Sequence, residues 1–485
     1  MLGDLISRGG LSVKRLLFIA LGVIITIMLI SGGAFGAFIW KFTPKIPDAA
    51  YAEPANQTEA RMQDFDYLRR MPEADKSFSP EELVAFNALI DDLERRAETM
   101  TDAEFVMGVS AAGAVTENGH SGVSMRRTMN LLNSLPVRFA WFADGLHIVR
   151  ARAEHAHLIG ARVNLYEGQT PETLYPQMDP YFGGNDSFLR QNSASFFAAP
   201  ASFHAAGLID QPDHVTLELV GLDGETFLEE LDVEDQATGF MGVQRNALAR
   251  PFDVELDSGH DWRFLDPALT EATWFGRHPE QVLWADTLDH GGVYWRMRNV
   301  FGNAETPLPG WLDAQAQTLR DAPANYLVLD LRANEGGDYT RAMAVASKIG
   351  ELVQPDGHVY VLTDGDTFSA GIVTAFYALH GAGERAVYAG SPMGDDMQFW
   401  AEGGGTPMRL PNSDIAIYVS TGYHDWENGC SDWSRCFWIN TLFGVALGPV
   451  EVELEAPLLF SDYARGIDSG MEAILAIEAE RASQN

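Results

Sequence analysis

Cysteine is almost missing from this chain: two residues, Cys430 and Cys436, in a sequence of 485. Two thiols with only His424 near them in sequence do not make a zinc set, so a structural metal does not organise the fold. Outside the cytoplasm such a pair closes a short loop as a disulfide, and that is the expectation here. Positive charge is scarce as well, with 33 Lys+Arg against 68 Asp+Glu and a net charge of −35. Beyond residue 45 the contrast sharpens to 28 basic against 67 acidic residues. Such a surface repels phosphate backbones and excludes nucleic acid as a partner. No Walker-type loop or dinucleotide fingerprint occurs, because Gly403-Gly404-Gly405 lacks a strand before it and a helix after it. No His-x-x-x-His pair occurs either, and His155 and His157 read as neighbours on a strand or in an exposed loop. Neither a metal nor a cofactor is expected.

One long apolar run is present. Leu16 to Trp40 is 25 residues without a charge, enough to span a bilayer with some tilt. Arg8, Lys14 and Arg15 precede it, which sets residues 1–15 in the cytoplasm and the bulk of the chain outside, in the periplasm if the source is bacterial. A retained anchor over 16–40 is the expectation. A signal peptide cleaved near Ala34-Phe35-Gly36 is the competing assignment, but the run exceeds the usual signal core.

Prolines 44, 47, 54 and 72 among polar residues mark 41–78 as a linker. Ser79-Pro80-Glu81-Glu82 and Thr101-Asp102-Ala103-Glu104 are capping boxes that open two helices within 79–122. From 123 to 289 short β segments dominate. Val137–Phe142 and His147–Val149 flank the turn Asp144-Gly145, and Val215–Val220 pairs with Gly224–Leu231. Region 290–475 alternates strand and helix, with Tyr326–Leu331 as a strand buried on both faces and a helix expected over Ala342–Val353. The fold class is α/β, with a helical segment and a β-rich module ahead of the core.

In that core His358–Leu362 reads as a strand and Ile372, Phe376 and Leu379 as a helical face, which puts Ser369 at the junction. There a serine serves either as an ordinary N-cap or as a nucleophile facing the free N–H groups of a helix start. Acyl transfer also needs oxyanion donors and a base. Gly336-Gly337, after the buried strand, lets backbone N–H groups turn toward a substrate, although most such turns only link strand to helix. His120 lies far away in sequence, in a glycine-flanked loop, Gly119-His120-Ser121-Gly122.

The order of these segments resembles the C-terminal processing (tail-specific) family of serine peptidases, in the branch related to the tricorn protease core. Asn118-Gly119-His120-Ser121 is similar to that branch's histidine loop. Leu135–Arg138 through Asp144-Gly145, and then Gly160-Ala161-Arg162-Val163 with Gly168, follow in the family's order. Leu329 to Gly337 carries the Leu-Asp-Leu-Arg-x-Asn-x-Gly-Gly signature and Thr367-Phe368-Ser369-Ala370 the nucleophile motif; Arg465-Gly466-Ile467-Asp468 fits the C-terminal pattern loosely. The resemblance covers about residues 80–475. It implies a Clp protease/crotonase-like core at 290–475, preceded by a PDZ-like module at 123–289. It also implies a peptide or protein substrate, with Ser369 as nucleophile and His120 as general base. The oxyanion donors would be the N–H of Ala370 and one from Gly336 or Gly337. The bacterial tail-specific branch uses a lysine after the serine, and the corresponding stretch, Gly390-Ser391-Pro392-Met393-Gly394-Asp395-Asp396, has none. That leaves histidine as the base. Glu427 is expected to orient it, with Asp425 and His424 as lesser candidates. The family also includes retinoid-binding relatives, so a catalytically silent binder of peptides or lipophilic ligands, or an esterase, stands as the alternative.

Overall fold

The structure is a computed structural model that describes residues 32–124, 128–234, 262–266, 269, 271–403 and 405–484. The expected cytoplasmic segment 1–15 and the expected anchor as far as residue 31 lie outside the described residues. Residues 32–42 are helical. Among the described residues no helix is long and apolar enough to cross a membrane.

The stretch expected as a linker is folded. It carries helix α1, Gln57–Leu68, started by Asn56, whose side chain accepts the Glu59 N–H. Phe42, Phe65, Tyr67, Leu68 and Met71 are buried. The prolines that suggested a tether only punctuate this arm, because apolar residues between them find a core. Helices α2, Pro80–Arg96, and α3, Asp102–Ala114, begin at Ser79 and Thr101 with both reciprocal bonds of the capping box made.

Strands β1, Val137–Phe142, β2, Gly145–Arg152, and β3, Arg162–Tyr166, start an antiparallel sheet. After helix α4, Asp186–Ala198, it continues through β4, His214–Val220, and β5, Thr226–Asp232. Helix α4 has no clear periodic signal in the sequence; in it Asn192, Ser193 and Ser195 are buried beside Phe188, Leu189, Phe196 and Phe197. Its polar residues face inward and blur the apolar period.

The second large sheet, of six strands, is mostly parallel. Its strands are β6, Leu283–Leu288, and β7, Gly292–Met297, an antiparallel pair; then, after helix α5, Leu308–Asp321, come β8, Ala324–Asp330, and β9, Val353–Thr363. Helix α6, Ala370–Ala382, leads to β10, Ala386–Gly390. Strands β11, Gln398–Ala401, and β12, Gly422–Asp425, form a separate antiparallel pair, followed by the short helix α7, Trp438–Phe443. Strand β13, Leu454–Glu455, closes the parallel sheet, whose order is β13-β10-β9-β8-β7-β6. The helix expected over 342–353 breaks into Met343–Ala346 and a 3-10 turn at Ile349–Leu352 before β9 begins. α6 is buried on nearly every side, as its uniformly apolar sequence requires.

Strands β8 and β9 are parallel and in register, Asp330 opposite Leu362. The loops after them therefore leave the same edge side by side, at the carboxyl ends of the strands, where ligands bind in open α/β sheets. Behind this edge, Asp330 accepts hydrogen bonds from Tyr294, Arg296 and Arg332, and Arg332 also grips Asp468 through two bonds of 2.9 Å. All these side chains are buried. Burial pushes the Asp330 carboxyl up, but Arg296 and Arg332 more than offset it and hold it at about 2. The Asp and Arg of the Leu-Asp-Leu-Arg signature therefore build the edge, and the loosely matched Asp468 completes it.

Candidate active site

The loops after β8 and β9 are stitched together. Phe368 N–H donates to Asn334 O (2.9 Å), Thr367 Oγ1 to Leu331 O (2.9 Å), and Ala333 N–H to Asp364 Oδ1 (2.9 Å). Asn334, fully buried, accepts the Gly336 N–H on Oδ1 and donates from Nδ2 to Met297 O. The stitching presses Gly336 against the serine. A methyl group on Gly336, whose φ is +103°, would stand 2.6 Å from Ser369 Cβ and 2.9 Å from Ala370 N, so only glycine fits.

Ser369 itself has φ +55° and ψ −125°, a conformation non-glycine residues rarely adopt, and it is held there at the first step of α6. Its hydroxyl does not cap the helix. The ordinary N-cap role is therefore absent, and the hydroxyl is left on the cavity side. The Ala370 and Gly337 N–H groups have no hydrogen-bond partner among the described residues, whereas that of Gly336 is taken by Asn334.

His120 reaches the same place from the loop after α3. It and Ser369 line one cavity of about 420 Å³, together with Phe182, Phe188, Asn192, Phe368 and Tyr418. The volume lies within the range of ligand pockets. The imidazole is clamped between Phe368 (ring centroids 4.2 Å apart) and Phe399 (5.1 Å). Its Nδ1 lies 3.2 Å from Asp395 Oδ2, and its buried Nε2 has no partner. A carboxylate at Nδ1 favours the tautomer with the proton there, which leaves the Nε2 lone pair as acceptor. No hydrogen bond joins His120 to Ser369 among the described contacts.

The clamp belongs to a longer stack. Phe188, Phe368, His120, Phe399, His424 and Phe437 follow one another with near-parallel rings, 4.1 to 6.0 Å between successive centroids.

Glu427 is not brought to His120. Along β12 and just beyond it, His424 and Trp426 point inward while Tyr423, Asp425 and Glu427 are partly exposed, the alternation of an extended chain. Glu427 accepts from Gln398 Nε2 at 3.2 Å. His424 is buried, with Nδ1 2.8 Å from Asn440 Nδ2 and Nε2 3.2 Å from a Glu402 oxygen. Asp425 accepts the Asn428 N–H. The carboxylate beside His120 is Asp395, in the stretch that matches the bacterial lysine segment, and the sequence reading did not assign it. Cys430 and Cys436 are joined as a disulfide, Cα atoms 5.8 Å apart. Among the described residues no cluster of three or more His, Cys, Asp or Glu is disposed to hold a metal ion.

A mainly parallel α/β sheet, with a strained serine at a strand-to-helix turn and an antiparallel sheet with helices ahead of it, defines the class of this chain. Within that class its fold is similar to that of mature CPAF. The structure of mature CPAF complexed with lactacystin superposes with a TM-score of 0.54 at 12% identity, over 88% of this chain and 99% of that one. The crystal structure of a CPAF serine-to-alanine mutant gives 0.53 at 10% identity, over 88% and 98%. No protein-family model and no curated protein sequence matches the chain.

Proposed function

We propose that this chain is a membrane-anchored, extracytoplasmic serine peptidase that works through an acyl-enzyme on Ser369. One observation carries the proposal: the buried, unpartnered Nε2 of His120 and the strained, non-capping Ser369 share one cavity. In the reaction Ser369 Oγ attacks the peptide carbonyl as its proton passes to His120 Nε2. The oxyanion so formed accepts from Ala370 N–H and Gly337 N–H. His120 then gives the proton to the leaving amine. Water, deprotonated by the same nitrogen, attacks the ester carbonyl and releases the acid, restoring Ser369. Asp395 holds the imidazole and offsets its charge while it is protonated. The aromatic lining of Phe182, Phe188, Phe368 and Tyr418 suits an apolar substrate side chain.

Anchoring is supported by the uncharged stretch that leads into the helix at residue 32 and by the three cations before it. Retention of the full chain in membranes after carbonate extraction tests that part. Fluorophosphonate labelling tests the chemistry: labelling is expected in the wild type, lost in Ser369→Ala and sharply reduced in His120→Ala. The missing Ser369–His120 hydrogen bond favours one other reading, a ligand-binding protein on the same fold. A folded wild type that takes no label would establish it. Catalytic hydrogen bonds commonly tighten only when substrate binds, which favours the enzyme. An esterase would also label, and profiling peptide against ester substrates separates the two.

A further inference from the structure

The chain has five lysines, Lys14, Lys41, Lys45, Lys76 and Lys348, and three of them meet at one corner. Lys76 Nζ donates to the Lys41 carbonyl, Lys41 Nζ donates to Ser434 O at 2.7 Å, and Lys45 Nζ stands 3.9 Å over the Trp40 ring. Arg435 adds a fourth cation, over Tyr423 at 4.6 Å, opposed by Asp432, which accepts from Ser434. In a protein this acidic, such a concentration is exceptional.

Apolar side chains are exposed at the same corner. Helix 32–42 is seated on the disulfide-closed loop and α7 through Phe38, 5.2 Å from Phe437, and Phe42, 5.7 Å from Trp438. Outside that contact it leaves Phe35, Ile39 and Trp40 exposed. The loop and α7 add Trp433, Leu442 and Phe443, each more than half exposed. Trp433 packs on Trp438 at 5.9 Å, and Leu442 follows Trp438 by one helical turn on the same face. Among the described residues two tryptophans are exposed, Trp40 and Trp433, and both are here. The uncharged sequence 16–31 runs directly into this corner.

Tryptophan and phenylalanine beside lysines are the composition of a bilayer interface, where rings sit at headgroup level and ammonium groups reach phosphate. The chain beyond residue 45 is strongly acidic, so an anionic surface repels the molecule as a whole, while the four cations of this corner favour contact there. We propose that residues 32–45 and 433–443 form a docking surface for an anionic phospholipid bilayer. Trp40, Trp433, Leu442 and Phe443 enter the headgroup region, and Lys41, Lys45 and Arg435 meet the phosphates. The disulfide fixes the loop that presents Trp433 before any lipid is met. The surface rests on the anchor proposed above and adds to it a second contact, far along the sequence, that sets how the catalytic domain faces the membrane.

The test is photo-crosslinking of the full chain in phosphatidylcholine vesicles carrying a diazirine phospholipid, with and without phosphatidylglycerol, mapped by mass spectrometry. Crosslinks are expected in 433–443 and 32–40 as well as in 16–31, and more of them in the first two when phosphatidylglycerol is present. Leu442→Glu with Phe443→Glu should remove those in 433–443 while fluorophosphonate labelling of Ser369 stays as in the wild type. Wild-type crosslinks confined to 16–31 overturn the docking surface and leave the anchor standing, whatever the variant does. Release of the chain by carbonate overturns the anchor itself.

Discussion

At the scale of single residues, Asp395 carries the sharpest expectation. It faces Nδ1 of His120 at 3.2 Å, and an amide in its place presents either a neutral oxygen or an N–H to that nitrogen. Asp395→Asn should lower kcat by about 10²- to 10⁴-fold with KM little changed, the scale seen when the orienting carboxylate of a serine–histidine pair is neutralised. Steady-state kinetics on a peptide substrate measures it, and an unaltered kcat would assign the orienting role elsewhere. Ser369, His120 and Gly336-Gly337 were legible in the sequence because local motifs mark them. Asp395 was not, because its place depends on two loops meeting in space. Glu427 looked right by distance along the chain, yet the alternation that buries His424 and Trp426 turns it outward.

At the scale of elements, the arm before α2 does what a linker cannot. Asp75, almost fully buried, accepts four hydrogen bonds: from Ser77 N–H (2.7 Å) and Oγ (2.5 Å), Ser121 Oγ (2.6 Å) and Ser420 N–H (3.0 Å). Asn118 Nδ2 donates to both Ser121 Oγ and Ser420 Oγ. The arm thereby grips the loop just after His120, and Asn118, just before it, joins the same network through Ser121 and Ser420. Asp75→Asn sets an N–H against donors on one side and should cost roughly 1–3 kcal/mol of stability. It should also lower kcat, because the His120 loop loosens; chemical denaturation and kinetics on the same sample check both. Unchanged kcat with lower stability would make the contact purely structural. Capping boxes, the first hairpin and strand β8 were readable beforehand, each having a local signature. The arm and α4 were not, since what folds them is contact with distant partners.

At the scale of the whole molecule, acid should act through His147. Burial pushes its imidazole down from 6.5 to about 4, and it packs face to face on Phe460, ring centroids 4.0 Å apart. The unfolded chain takes up that proton first as pH falls. The stability tied to neutral His147 is thus complete above pH 6.5 and is lost as pH drops toward 4, a loss of about 3 kcal/mol at most. The urea midpoint should fall across this window, and His147→Gln should flatten the fall. A slope that persists in the variant would trace it to another group. The stack from Phe188 to Phe437 extends from the cavity of Ser369 to the basic corner, and it has a magnetic consequence. Stacked between aromatic rings, His120 and His424 are expected to show carbon-bound proton resonances upfield of those of exposed histidines. One imidazole shares a cavity with Ser369 and the other lies one ring from Phe437, so proton NMR gains two internal reporters, one for each end of the stack.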